Sequence, residues 1–285
     1  MKTALVTAIF ATTLLNPTEA MAEASAKTAN VSVRLVPEVT AIQAGKPFTV
    51  AVHFKIAPKW HTYWKNAGDA GMPTKVVWTL PDSFKTGELQ WPTPIRTVDA
   101  GLALYGYDDE VTLLTEITPL PSLPVGNFTI AAALSWLECS DVCIPGKAKL
   151  NLTLPAADAR AAPAIDSREK ALFAAARASM PRAMPTLKAT HAAKADQLVL
   201  SIRGATGLTA PIEFVPETGG LIEPAANQTV TGAGPAWSVS MKRPANPEAP
   251  PGSIKGVLVS GSGATRKAYS LISIAAVGAA PRSVK

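Results

Sequence analysis

A series of short apolar segments, each about the length of a β-strand and each ended by a turn signal, limits the fold of this chain more than any other feature. Turn-forming residues separate the segments, as in Leu80–Asp82 and Pro124–Asn127. The chain has 25 Pro and 19 Gly among 285 residues, which leaves little room for long helices. The pattern therefore excludes an all-α bundle and predicts an all-β protein.

The strand-like segments fall into two series, which predicts two β-sandwich domains, over residues 23–155 and 181–285. The first series comprises Val31–Val36, Phe48–Ile56, Lys75–Leu80, Val111–Ile117, Phe128–Trp136 and Lys147–Leu154. The second comprises Gln197–Ile202, Ile212–Val215, Trp237–Met241, Ile254–Ser260 and Ala268–Ile274.

Between the two series, residues 156–180 predict an Ala-rich linker with one short helix. Asp166 is a suitable N-cap, with Glu169 three residues later, and Met180–Pro181 would end the helix. Its apolar face would consist of Leu172, Phe173 and Ala176.

The first 22 residues have the features of a signal peptide for export. Lys2 supplies a positive start, Ala4–Leu15 is apolar but too short to span a bilayer, and Ala20–Ala22 offers small residues for cleavage. We therefore expect the mature protein to begin near Glu23 and to be periplasmic.

The charge pattern argues against a nucleic-acid partner. The formal net charge of +6 comes from 27 Lys and Arg against 21 Asp and Glu. These charges are spread along the chain, whereas phosphate binding needs them clustered. We expect neither a nucleic-acid partner nor a cofactor.

The only two cysteines, Cys139 and Cys143, belong to one Cys-x3-Cys motif. If the segment coils, the pair can come close enough for a disulfide. The loop closed would be so short that the bond would add little stability, which favours redox exchange over a structural bridge. A structural disulfide stays an alternative, and so does a metal site, although zinc would normally require four ligands.

A second cluster of chemically distinctive residues is Trp60–Pro73, where aromatic residues precede a Gly-Asp-Ala-Gly turn. The aromatic rings could line a concave patch or cap the end of the sandwich. His61 and Met72, with a cysteine, could also form a soft copper site.

Together these motifs resemble the periplasmic N-terminal domain of the DsbD/ScsB family of thiol:disulfide reductases, and most closely its ScsB branch. The resemblance covers about Val31 to Leu154 and extends weakly over the second domain. The residues that carry it are Trp60–Trp64, Gly68–Gly71, Trp78–Pro81, Tyr105–Tyr107 and above all Leu137–Gly146.

The resemblance implies two immunoglobulin-like sandwiches and a redox-active cysteine pair. By this likeness Cys143 forms mixed disulfides with partners and Cys139 resolves them. Asp99–Tyr107 would be a cap loop over the pair. We therefore predict Cys139 and Cys143 as catalytic residues, with cap and supporting residues Asp99, Tyr105, Tyr107, His61, Asp69, Glu138 and Asp141.

The family likeness also implies the partners. Electrons would come from a membrane protein, because the chain ends at Lys285 with neither a membrane domain nor a thioredoxin-like domain. They would pass to oxidised periplasmic thioredoxin-like proteins of disulfide isomerisation, copper tolerance or cytochrome c biogenesis, and no small-molecule substrate is expected. The alternative is a non-enzymatic exported module that binds protein or copper and has a structural disulfide.

Overall fold

The computed structural model describes residues 24–157 and 165–276. The described residues are mostly in β-strands and include one short α-helix, which confirms the predicted fold class. The predicted signal peptide, residues 1–22, lies outside the described residues. Within the described ranges, no helix has both the length and the apolar character needed to cross a bilayer.

The first unit, Ser25–Pro155, consists of two sheets that face each other. One sheet has the strand order β1-β2-β3-β9-β6, and the other has the order β11-β10-β4-β8-β7, with β5 paired to β10. The strands are β1 (Ser25–Lys27), β2 (Val31–Pro37), β3 (Phe48–Ile56), β4 (His61–Gly68), β5 (Lys75–Thr79), β6 (Phe84–Gln90), β7 (Ile95–Asp99), β8 (Leu102–Asp108), β9 (Glu110–Pro119), β10 (Asn127–Cys139) and β11 (Cys143–Pro155).

Alternation of side chains along the strands builds the core of the first unit. In β3, Val50, Val52 and Phe54 point into the space between the two sheets. Ala51 points to the other face, where it packs under the helix. The middle of β3, residues 50–54, is therefore buried on both faces.

Helix α1 (Lys170–Ser179) packs on the outer face of the first sheet. As predicted, its apolar face contains Phe173 and Ala176, which are buried, and it ends at Met180. The predicted N-cap is wrong, because Glu169 occupies that position. The Asp166 carboxylate instead accepts hydrogen bonds from the backbone and guanidinium of Arg168.

The second unit, Lys188–Ala275, is one continuous sheet of seven strands in the order β14-β17-β18-β12-β13-β16-β15. Its two halves are joined where β12 and β18 pair in parallel. Apolar side chains from both halves share one core, so the sheet folds back on itself. The strands are β12 (Lys188–Lys194), β13 (Gln197–Arg203), β14 (Ile212–Pro216), β15 (Thr229–Ala233), β16 (Ala236–Lys242), β17 (Ser253–Ser260) and β18 (Lys267–Ala275).

The two units are packed against each other. Val215, Val257 and Val259 of the second unit are buried within the apolar cluster of the first unit. Lys65 and Glu217 form an ion pair across the boundary, with Nζ and Oε1 3.2 Å apart. The second unit therefore completes part of the core of the first.

Two segments near the predicted site differ from the sequence expectation. Residues 99–107, predicted as a loop, comprise the end of β7, a turn and most of β8, which form a hairpin. The turn consists of Ala100 and Gly101, both with positive φ. A turn of this kind suits the twist of a two-stranded hairpin. The segment His61–Gly68, which had no predicted secondary structure, is strand β4.

Candidate redox site

The two cysteines form a disulfide at the tip of the β10–β11 hairpin. Cys139 is the last residue of β10 and Cys143 the first of β11, so they lie directly opposite each other with their Cα atoms 4.2 Å apart. Ser140, Asp141 and Val142 form the turn between them. The motif therefore needs no helical turn to bring its cysteines together, because the hairpin register does so.

The two sulfur-bearing residues are in different environments. Cys139 is only 1% exposed and belongs to a small apolar cluster with Tyr63 and Leu137. Cys143 is exposed at the hairpin tip. A thiol-exchange partner approaching from solvent can therefore reach Cys143, whereas Cys139 is shielded by the protein.

Strand β4 places a tyrosine and a histidine beside the exposed cysteine. The Tyr63 hydroxyl lies 3.9 Å from Cys143 Sγ and 3.2 Å from His61 Nε2. Because residues two apart share a face of a strand, His61 and Tyr63 point the same way. Burial raises the pKa of Tyr63, and burial lowers the pKa of His61 against an opposing effect of Asp108. At neutral pH the site therefore contains a neutral phenol and a neutral imidazole.

Tyr63 was not among the residues predicted for the redox site, although it lies within the aromatic run Trp60–Trp64. The period-two spacing of His61 and Tyr63 is the signal that could have identified it, had the segment been recognised as a strand.

Glu138, predicted as a supporting residue, is directed away from the sulfurs. It precedes Cys139 in a strand, so its side chain lies on the opposite face. Its fully buried carboxylate accepts a hydrogen bond of 2.7 Å from Thr28 and longer ones from Asn30 and Trp136. Glu138 thus ties the end of β10 to the segment between β1 and β2.

Strand β8 supplies a side chain that packs on the cluster containing the buried cysteine. Leu104, which was not predicted, packs on the cluster of Tyr63, Leu137 and Cys139. Asp69, which was predicted, holds this strand in place. Its carboxylate accepts a 2.7 Å hydrogen bond from the Ala103 amide, and its own amide donates to the Ala103 carbonyl.

The predicted cap role of Tyr105 and Tyr107 is wrong for their rings. Both belong to the core of the first unit, where they are 0% and 6% exposed. The Tyr107 hydroxyl donates to the Pro92 carbonyl. The reason is strand alternation, because Leu104 faces the cysteine cluster and its odd-numbered neighbours face the opposite way.

Two glycines allow the close approach of chain segments at this site. Gly68 has a φ of +91°, and a Cβ there would lie 2.4 Å from the Ala103 carbonyl oxygen. Gly71 has a φ of +103°, and a Cβ there would lie 2.2 Å from the Tyr63 ring. Both positions therefore require glycine for backbone and steric reasons.

The remaining predicted residues lie at the surface. Asp141 is exposed in the turn between the cysteines, and Asp99 is exposed at the end of β7. Exposed apolar side chains flank Cys143, with Val142 59% and Ile144 40% exposed. Within residues 24–157 and 165–276, no three His, Cys, Asp or Glu side chains are grouped closely enough to hold a metal ion.

Comparison with known proteins agrees with this geometry. Residues 32–155 match the family model described as "Thiol:disulfide interchange protein DsbD, N-terminal". The structure is similar to the N-terminal periplasmic domain of ScsB from Proteus mirabilis, with 20% identity and a TM-score of 0.62, covering 86% of this chain and 94% of that one.

Another solved structure matches a smaller part of the chain. The reduced DsbD N-terminal domain from Neisseria meningitidis has 16% identity and a TM-score of 0.26, covering 43% of this chain and 90% of that one. No curated protein sequence gives a significant match.

Residues 32–155 contain the disulfide, His61, Tyr63 and Leu104. They form a domain of the DsbD/ScsB N-terminal family, a family of thiol–disulfide exchange domains. The predicted family is thus confirmed for the part of the chain that carries the site.

Proposed function

We propose that this chain, whose residues 32–155 form a DsbD/ScsB N-terminal domain, passes reducing equivalents to oxidised periplasmic thioredoxin-like proteins through Cys139 and Cys143. The donor would be the reduced dithiol of a membrane partner of the DsbD/ScsB type. The observation that carries the proposal is the asymmetry of the disulfide, which presents exposed Cys143 to solvent and keeps Cys139 buried behind it.

The exchange steps balance in thiols and electrons. The reduced Cys143 thiolate attacks one sulfur of an oxidised partner, and the other partner sulfur leaves as a thiolate. The Cys139 thiolate then attacks Cys143 Sγ, which breaks the mixed disulfide and releases the partner as a dithiol. The Cys139–Cys143 disulfide forms again, and two electrons have moved to the partner. In the reverse sequence a reduced donor attacks Cys143, and the Cys139–Cys143 disulfide is reduced to the dithiol again.

Tyr63 has a place in this mechanism. Its pKa is raised, so its hydroxyl keeps its proton and can donate to the Cys143 thiolate. His61, as the tautomer protonated on Nε2, can donate in turn to the Tyr63 oxygen. This hydrogen-bond chain would stabilise the thiolate without placing a full positive charge beside it.

Several features support the finer assignments of compartment and domain role. A periplasmic location agrees with the signal-peptide features of residues 1–22 and with the relative from Proteus mirabilis, which is a periplasmic domain. The exposed Val142 and Ile144 beside Cys143 offer an apolar contact for a thioredoxin-like partner. We assign the redox domain to residues 23–155 and the second domain to 181–285.

The test is trapping in the exporting cell. A Cys139→Ser variant lacks the resolving thiol and is expected to accumulate mixed disulfides through Cys143, visible on non-reducing gels and identified by mass spectrometry. Cys143→Ser is the matched control and should trap far less, because its remaining thiol is buried. If neither variant is linked to a thioredoxin-like protein, the exchange function is wrong and the binding module with a structural disulfide is favoured.

A further inference from the structure

The β7–β8 hairpin is in contact with different parts of the molecule on its two faces. On one face Leu104 packs against the cluster that contains Cys139. On the other face lie Tyr105, in the core of the first unit, and Arg96, directly opposite it in the hairpin register, which reaches Glu213 of the second unit. Because alternate residues of a strand point to opposite faces, the hairpin links the redox cluster to the second unit.

Strand β14 of the second unit is arranged in the same two-sided way. Ile212 and Phe214 point into the core of the second unit. Glu213 pairs with Arg96, and Val215 is buried in the apolar cluster of the first unit. Strand β14 therefore contributes side chains to the cores of both units.

Polar contacts from the second unit hold the hairpin and the residue before it. The Arg96 Nε lies 3.3 Å from the Glu213 carboxylate, and the same guanidinium donates to the carbonyls of Pro224 and Ala226. Arg266 donates a 2.7 Å hydrogen bond to the Pro94 carbonyl, one residue before β7. Each of these contacts joins the base of the hairpin to a different segment of the second unit.

The adjacent strand β4 is held as well. Asn66 donates a 2.8 Å hydrogen bond to the Pro216 carbonyl at the end of β14. Asn66 is three residues after Tyr63, which touches both Cys143 and the Cys139 cluster. The second unit thus contacts β4, which carries Tyr63, and β7, which pairs with the strand that carries Leu104.

The Arg96–Glu213 pair is mostly removed from solvent, with side chains 17% and 30% exposed. Burial raises the pKa of Glu213, opposed by the charges of Arg96 and Arg266. Removal of one partner would leave the other charge poorly solvated, so the contact between hairpin and second unit would loosen.

We propose that the second unit positions the redox site, with the Arg96–Glu213 pair holding the β7–β8 hairpin so that Leu104 keeps Cys139 covered. The role concerns selectivity between the two sulfurs. While the hairpin is held, external thiols reach only Cys143, and Cys139 reacts only with Cys143. This inference rests on the proposed exchange function, in which Arg96 and Glu213 are positioning residues.

The experiment measures how fast each reduced cysteine reacts with iodoacetamide in the whole protein. Cys139 is followed in a Cys143→Ser background and Cys143 in a Cys139→Ser background. Glu213→Gln and, separately, Arg96→Met should speed alkylation of Cys139 by about fivefold or more, because local opening limits access to a buried thiol. The rate at Cys143 should change less than about twofold, since that residue is already exposed.

The matched control is Glu169→Gln, which removes one partner of the Arg34–Glu169 pair between α1 and the first sheet, with side chains 40% and 23% exposed. It should leave both rates unchanged. An unchanged Cys139 rate in folded Glu213→Gln and Arg96→Met proteins would overturn the proposal, and so would an equal rise at both cysteines. If either variant does not fold, Arg266→Gln provides the same test from a separate contact.

This readout needs no protein partner, so its outcome is separate from that of the trapping experiment. Faster Cys139 alkylation with no trapped partner would support the positioning role and refute the exchange function. Trapped partners together with an unchanged rate of Cys139 alkylation would support the exchange function and refute the positioning role.

Discussion

At the scale of single residues, the proposed thiol exchange depends on the unequal exposure of two cysteines that are cross-strand neighbours. Cys143 is accessible at the hairpin tip, and Cys139 lies against Tyr63 and Leu137. Attack at a disulfide depends on which sulfur can be reached. In the proposed exchange, the local packing therefore decides the order of the steps.

The Tyr63 hydroxyl is expected to stabilise the Cys143 thiolate. In a Cys139→Ser background, Tyr63→Phe should raise the pKa of Cys143 by about half a unit to one unit, the effect of losing one hydrogen bond worth about 1 kcal/mol. The pH dependence of Cys143 alkylation measures this. Tyr269→Phe, in the second unit, should leave that pKa unchanged. An unchanged pKa in the Tyr63 variant would remove the hydroxyl from the mechanism.

The disulfide itself is expected to contribute little to stability. It closes a very short loop, so replacing both Cys139 and Cys143 with Ser should lower the free energy of unfolding by no more than about 2 kcal/mol. Urea denaturation of oxidised wild type and double variant measures the difference. Loss of soluble protein in the double variant would instead indicate a structural bridge.

A buried histidine remote from the disulfide predicts a pH dependence of folding. Burial, followed by the charge of Arg34, lowers the pKa of His53 from 6.5, and its Nδ1 lies 2.9 Å from Thr112 Oγ1. Because the unfolded state then binds more protons, stability should be full above about pH 6.5 and fall as the pH drops through the lowered pKa. Replacement of His53 by Gln should reduce that loss in thermal melts between pH 7 and 5, and an identical pH profile in both proteins would contradict the assignment.

At the scale of elements, the β7–β8 hairpin shows how strand alternation assigns roles to neighbouring residues. The hairpin lies beside the cysteines, as a cap would, but the side chain that touches Cys139's cluster is Leu104. Tyr105 and Tyr107 contribute to the core instead. The presence of broad aromatic residues near the cysteines is therefore insufficient evidence for a cap, because the face of the strand on which a side chain lies decides whether it covers them.

Truncation of Leu104 should change access to Cys139, whereas truncation of Tyr105 should change the stability of the fold. In a Cys143→Ser background, Leu104→Ala should speed alkylation of Cys139 several-fold, whereas Leu102→Ala, on the same strand but 56% exposed, should not. Tyr105→Ala should act differently and lower the free energy of unfolding by about 3–5 kcal/mol, as large-to-small core substitutions do. Equal alkylation rates in the two leucine variants would show that Leu104 does not cover the thiol.

At the scale of the whole molecule, the two units share apolar core residues and exchange polar contacts. Val215, Val257 and Val259 extend the first core, and Arg96 crosses to Glu213. Separation of the units would expose this apolar surface to water. We therefore expect the protein to unfold as one cooperative body.

A charge placed in the apolar core that the two units share should make them unfold separately. Val215→Asp buries an unpaired carboxylate at a position 1% exposed and should lower stability by about 3 kcal/mol or more, with two transitions replacing one in calorimetry. Val125→Asp, at a fully exposed position, should melt like wild type. A single unshifted transition in the Val215 variant would show that packing at Val215 does not couple the two units.

Local patterns in the sequence were enough to predict the fold class, most of the long strands and the helix with its buried Phe173 and Ala176. The cysteine pair as the chemical centre stays a prediction. Turn residues, period-two alternation and the cysteine spacing act over a few residues, so they can be interpreted without the fold. The strands that were missed, β4 and β8 among them, contain glycine and polar residues that weaken this local signal.

Long-range packing decided the rest. Tyr63 and Leu104 became part of the site because β4 and β8 pair with each other and β4 pairs with β10, which brings residues distant in the chain into contact. Glu138 was turned away from the sulfurs by the pleat of its strand, and Arg96 of β7 meets Glu213 of β14 across the boundary between the units. The sequence by itself determined which residues could carry thiol chemistry. Only the tertiary structure decided which of them face the cysteines, because the side to which a strand residue points depends on register and on what packs against each face.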